Sequence, residues 1–228
     1  MSKKALVVKK SQIFSKQQHR VLKNGDTLLT SILLENIDAE LMDRSFCETD
    51  EDYFQLIPYI TLLDPLNGKF FTYMRGGSSG ESRLIGKCSV GLGGHIEEEP
   101  DQDESLGDVI KRCILRELHE EIGIDFSTEE SFSYILGHLN KNFDNMVIAF
   151  AKYSDDVSKV HLAVPVVLLV DSAKITELST MESGVITQGK WMSKTELNES
   201  TEIELEEWSK IVLAHTQVRS EANTAPKE

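Results

Sequence analysis

The 228-residue chain has only three cysteines, Cys47, Cys88 and Cys113, an odd number with no metal-ligand spacing. That pattern predicts neither a disulfide framework nor a structural zinc knot; reduced thiols in a cytoplasmic protein are the plain expectation. Long apolar runs are also lacking. The longest, such as residues 162–170, are far too short to span a bilayer, so no membrane partner is expected. The opening residues, MSKKALVVKKSQ, hold an apolar core of four, too short for a secretory signal. Basic residues are scarce relative to acidic ones, 24 Lys and Arg against 38 Asp and Glu, for a net charge of −14. Such a balance argues against a nucleic-acid polymer or an anionic surface as partner. A small phosphorylated substrate remains compatible, because bound metal ions and a few cationic side chains can reverse the field locally. No internal repeat or linker divides the chain, and at this length one domain with extensions is expected.

What the chain does have is a cluster of carboxylates on a predicted helix. Ile110, Ile114 and Leu118 recur every fourth position, the mark of a helix with one buried stripe. Glu117, Glu120 and Glu121 are spaced three and four apart, so all three carboxylates can converge on one face. Gly123 follows the last periodic residue and suits a C-cap. Like charges at these spacings repel, and the cluster makes sense where divalent cations, Mg²⁺ above all, sit among its hard oxygen ligands.

The arrangement resembles the Nudix box of the MutT-type pyrophosphohydrolases, G-x5-E-x7-R-E-U-x-E-E-x-G-U with U apolar. Residues 116–124, RELHEEIGI, match every fixed position of its second half. The first half departs twice. Asp108 stands where the box has its first glutamate, and the box glycine is best read as Gly94, with thirteen residues between the two instead of five. An acidic insertion of about eight residues between turn and helix accounts for the spacing, and a solvated loop is the expected form of that run. The segment from Pro58 to Gly94 is also similar to a MutT-related group of predicted phosphoesterases.

The resemblance implies an α/β fold, a Nudix-type α/β/α sandwich with a mixed β-sheet in one domain. Residues 53–216 would form that domain, 1–52 an N-terminal extension packed on it, and 217–228 a disordered tail. It further implies a hydrolase, dependent on Mg²⁺ or Mn²⁺, that cleaves a diphosphate linkage in a small nucleoside-diphosphate-type substrate. Glu120 and Glu121 would be the principal metal ligands, with Glu117 a further ligand or the base that positions water. Arg116 would orient a glutamate, and Gly93 would offer its backbone carbonyl to the metal. Homodimers are common among relatives. Two other readings keep the fold: a silent nucleotide-binding module, and an isopentenyl-diphosphate-isomerase-like enzyme, for which no clear cysteine–glutamate pair is found.

Outside the box, Arg75, Arg83 and Lys87 are candidates for substrate phosphates, with ordinary surface charge as the alternative. His95, just past the glycine turn, lies within reach of the site, with an ordinary polar loop residue as the alternative; His119, His138 and His161 are read with the same alternative, and Glu182 is a candidate extra carboxylate. Trp191 reads as core rather than a substrate platform. Strands are expected at 4–8, 57–63, 69–74, 87–92, 132–139, 146–153 and 160–170, with Asn67–Gly68 marking a hairpin. Residues 28–34 fit strand or helix, the region 11–50 has no assigned role, and 204–215 reads as a closing helix.

Overall fold

The structure, a computed structural model, describes residues 3–16, 19–21, 27–77, 82–101, 104–123, 146–152, 156–175 and 186–216. In chain order these form β1 (Lys4–Lys9), α1 (Lys10–Lys16), β2 (His19–Val21), β3 (Thr27–Leu33), β4 (Ala39–Asp43) and α2 (Arg44–Cys47). Then come β5 (Tyr53–Asp64), β6 (Lys69–Arg75), β7 (Cys88–Ser89), α3 (Leu106–Ile122), β8 (Met146–Lys152) and β9 (His161–Leu169). The chain closes with β10 (Ile186–Ser193), α4 (Lys194–Glu199) and α5 (Glu207–His215). The strand expected at 132–139, together with His138, Ile124, Glu182 and the tail 217–228, lies outside the described residues.

Two long apolar segments make the centre of the sheet. β5 and β9 run parallel from the Gln55–His161 pair to the Leu63–Leu169 pair. Strands buried on both faces read as near-continuous apolar runs, and HLAVPVVLL does. The remaining pairings are antiparallel, so the sheet is mixed, in the order β10-β6-β5-β9-β8-β3-β2. Successive side chains of β5 face opposite sides. Phe54, Leu56, Ile60 and Leu62 pack with Ile110, Ile114 and Leu118 of α3, while Tyr59 and Leu63 pack with Leu197 of α4 and Val212 and Leu213 of α5. Helices therefore cover both faces of the sheet, which is the expected α/β/α sandwich.

The segment at 11–50 supplies structure that sequence pattern does not assign. β3 pairs with β8 along seven residues, and β1 joins β5 at Val7–Lys9 while carrying β4 on its other side. Of residues 28–34, which fit strand or helix by pattern, all but Leu34 are strand, and Leu34 opens a 3₁₀ turn at Leu34–Asn36. Two expected elements are shorter. The strand at 87–92 keeps only β7, because beyond Ser89 the chain leaves β6 and crosses to a single bridge between Leu92 and Ile60. The closing helix starts at Glu207, because Leu205 is drawn into a bridge with Cys88. Among the described residues, no helix is long and apolar enough to cross a membrane.

Candidate functional site

The site begins at a break along one edge of β5. β1 pairs there at Tyr53–Gln55 and β6 at Leu63–Asp64, leaving the middle of the edge open at Pro58, which has no N–H to offer a neighbour. The turn 91–96 fills that opening. Leu92 exchanges both backbone hydrogen bonds with Ile60 at 2.8 Å, and the Leu6 amide donates to the Ile96 carbonyl at 2.7 Å. Between these anchors Gly93 has φ 138°, and a Cβ there would lie 2.0 Å from the Pro58 carbonyl oxygen. Only glycine fits.

α3 is laid against this turn. Its start is fixed by a capping box, with the Ser105 hydroxyl accepting from the Asp108 amide and the Asp108 carboxylate accepting from the Ser105 amide. Its end is fixed by Gly123 in the left-handed conformation, φ 65°. Cys113, Ile114 and Leu118 face the core, which turns Glu117 and Glu121 inward at 7% and 4% exposure. The bare Cα of Gly94 lets Glu117 approach: a Cβ would meet Glu117 Oε1 at 2.7 Å. The Gly93 amide donates to Glu121 Oε2 at 2.9 Å. Arg116 then ties three groups together. Its Nη2 meets Glu117 Oε1 at 2.6 Å and donates to the His95 carbonyl at 2.8 Å, while Nη1 donates to Glu120 Oε2 at 2.8 Å. Burial works against the Arg116 charge, but Glu117, Cys113 and Glu120 overcome it and raise its pKa. Burial and Glu117 push the neighbouring Cys113 thiol up to about 12. Glu120 stays on the rim, its side chain 44% exposed.

The other expected residues fall elsewhere. Asp108 is the cap of α3, held below the usual carboxylate range by the Ser105 hydroxyl and by Lys111. The acidic insertion is exposed at Glu97–Pro100 but is not a free loop. Arg112 of α3 gathers it, with Nε 2.7 Å from Glu98, Nη1 against Glu104 and Nη2 3.3 Å from the Glu99 carbonyl. Arg75 meets Glu206 at 3.0 Å in a buried pair, and Lys87 meets Glu204 at 3.1 Å. Arg83 is exposed on a 3₁₀ turn at Ser82–Leu84, where its charge is felt by Asp156. Trp191 packs edge-on to Phe71, with centroids 5.8 Å apart, at the margin of the core.

One grouping has no counterpart in any sequence spacing. Among the described residues, the ligand atoms of Glu48, His95 and His161 all lie within 4.8 Å of one another. Glu117, Glu120 and Glu121 do not close to that degree, since Arg116 stands between Glu117 and Glu120. Positions 48, 95 and 161 come together only because the end of α2, the start of β9 and the glycine turn meet, so local pattern carries no signal for them.

No protein-family profile matches the chain. The chain is 28% identical over 218 residues to Protein YmaB of Bacillus subtilis (strain 168), spanning 93% of this chain and 97% of that protein. Its structure is similar to the crystal structure of Tm1382, described as a candidate Nudix hydrolase, with a TM-score of 0.60 and 18% identity over 92% of this chain and 96% of that one. With helices on both faces of a mixed sheet and the glutamate helix seated on a glycine turn, the chain has the Nudix fold.

Proposed function

We propose that this chain is a divalent-metal-dependent hydrolase that cleaves the diphosphate linkage of a small nucleoside-diphosphate-type substrate. The observation that carries the reading is the seating of Glu117 and Glu121, two buried carboxylates four residues apart, on the bare backbone of Gly93 and Gly94. Buried carboxylates need compensating charge, and the Arg116 guanidinium is divided between the buried Glu117 and the rim glutamate Glu120. Hard carboxylate oxygens suit Mg²⁺ or Mn²⁺, which Glu120 and Glu121 would hold with Glu117. Such an ion, when bound, supplies neutralisation of phosphate oxygens and an activated water.

The chain's own residues do the positioning. Arg116 fixes Glu117 and Glu120 through its planar fork, and is itself oriented by the His95 carbonyl. The Gly93 amide fixes one oxygen of Glu121. This contact engages the N–H of Gly93 and leaves its carbonyl as the proposed further ligand. Arg83 and Lys87, on the segment that leads into the turn, are the proposed contacts for substrate phosphates. Arg75 is the weaker candidate because its partner Glu206 is buried, whereas Lys87 meets the exposed Glu204.

The test is a rate assay over nucleoside triphosphates, ADP-ribose, dinucleoside polyphosphates and nucleotide sugars with Mg²⁺, with and without chelator. Turnover should stop reversibly on chelation. Glu120→Gln and Glu121→Gln should each cut kcat by several orders of magnitude, while metal-free thermal stability stays level or rises as carboxylate repulsion is relieved. Full activity in excess chelator would remove the metal assignment. Near-wild-type turnover in both variants would make a silent nucleotide-binding module the better reading.

A further inference from the structure

The histidines lie on the far side of the same turn. His95 follows Gly94, and while its carbonyl accepts from Arg116, its ring points away toward the first residue of β9. There His95 Nε2 lies 3.2 Å from His161 Nε2. His161 is 3% exposed, and its Nδ1 lies 2.6 Å from the Val157 carbonyl. A carbonyl can only accept, so Nδ1 carries the proton and Nε2 of the neutral ring presents its lone pair to His95. Glu48, the C-cap of α2, places Oε1 3.9 Å from the same nitrogen.

We propose that His95, His161 and Glu48 form a second metal site, separate from the glutamate helix, that binds a zinc-class transition dication through two imidazoles and one carboxylate. The spacing fits the ion. Two nitrogens at about 2.0–2.1 Å from a tetrahedral zinc are about 3.3 Å apart, against the 3.2 Å found here. A shift of the half-buried Glu48 carboxylate by about half an ångström brings its oxygen to the tetrahedral-edge distance from His161 Nε2. The surroundings have the form that supports a metal-bound histidine. Val157 fixes the ring and tautomer of His161 through the nitrogen facing away from the ion, and Arg44 Nε donates to Glu48 at 3.3 Å, holding the carboxylate in place. Three protein ligands leave a fourth position for water or another ligand.

The donor set also chooses the class of ion. Imidazole nitrogen suits zinc, copper, nickel and cobalt, whereas magnesium takes oxygen ligands. An ion here would tie α2, the start of β9 and the glycine turn together, and the turn is where Arg116 is oriented.

The test uses the full chain, stripped with chelator and titrated with Co²⁺ and Zn²⁺. One equivalent of Co²⁺ should develop the strong visible bands of four-coordinate cobalt, displaced by one equivalent of Zn²⁺ and unaffected by excess Mg²⁺. The signal should persist in Glu120→Gln and Glu121→Gln. Zinc affinity should fall by about 100-fold or more in His161→Asn and in Glu48→Gln, since losing a ligand costs at least as much as losing its outer partner. Glu48 is half-exposed at a helix end, so its variant reports even if His161→Asn fails to fold. A wild-type chain giving only the weak spectrum of six-coordinate cobalt would overturn the site, leaving a hydrogen-bonded histidine pair. So would zinc affinity unchanged in Glu48→Gln, or a cobalt signal lost with the helix glutamates. None of these outcomes bears on diphosphate cleavage, which has its own assay.

Discussion

Asp108 occupies the first carboxylate position of the box and caps the helix that carries the others. A side chain one methylene shorter than glutamate reaches its own helix start, where the Ser105 amide and hydroxyl are waiting. Asp108→Ala should therefore cost about 1 kcal/mol of stability, the usual size of a lost helix cap. Turnover should remain within a few-fold of wild type, which separates a cap from a metal ligand; urea denaturation beside a rate assay measures both. The acid limb of stability should respond too. The folded-state pKa of Asp108 is depressed, so its contribution is present above the unfolded value of about 3.9 and is lost as pH falls through the lower folded value. In Asp108→Asn that part of the slope below about pH 4 should vanish. The glutamates at 117, 120 and 121 were legible in the sequence because a helix turns spacing directly into a shared face. His161 and Glu48 were not, because the sheet sets their meeting and no spacing encodes it.

At the scale of elements, α5 is fastened to the sheet by its N-cap rather than by its apolar stripe alone. Glu206 is buried, and it accepts from the Tyr59 hydroxyl at 2.6 Å, from Ser89 at 2.6 Å and from Arg75 at 3.0 Å. Ser209, one turn on, accepts from the Val90 amide at 2.9 Å. One carboxylate thus joins α5 to β5, β6 and β7. Burial and Glu206 together hold the Tyr59 hydroxyl protonated, its pKa well above the ordinary phenol value. Glu206→Ala would leave Arg75 charged, buried and unmatched, at a cost of about 3–5 kcal/mol. Replacing both partners with apolar residues of similar volume, Arg75→Met with Glu206→Leu, should restore much of that loss. Denaturant midpoints of the two chains against wild type decide it; equal destabilisation would mean that the pair does not act as a unit. Such a fastening is hard to read in advance. Glu206 looks like one more acid in an acidic segment, and the apolar period of the helix continues back to Leu205, which the sheet claims instead. The strands were easier, since period and turn residues mark β5, β6, β8 and β9 within a few positions.

For the molecule as a whole, the first fifty residues contribute four strands, β1 to β4, to the sheet. β1 lies on β5, and β3 pairs with β8 from Thr27–Lys152 to Leu33–Met146. A chain beginning at Tyr53 should lose cooperative thermal unfolding, because one edge of β5 and one edge of β8 would be stripped. A sharp melting transition in that shortened chain would show that the rest folds alone. The β3–β8 ladder has a consequence for how the protein comes into being. On the ribosome, β3 emerges more than a hundred residues before the strand it must pair with. At about 5–20 residues per second it waits roughly 5–25 seconds with only β2 beside it and the edge meant for β8 unpaired. Over that interval the nascent chain is a natural client for chaperones, and slowing translation beyond Leu33 should lower the soluble yield without altering the finished protein.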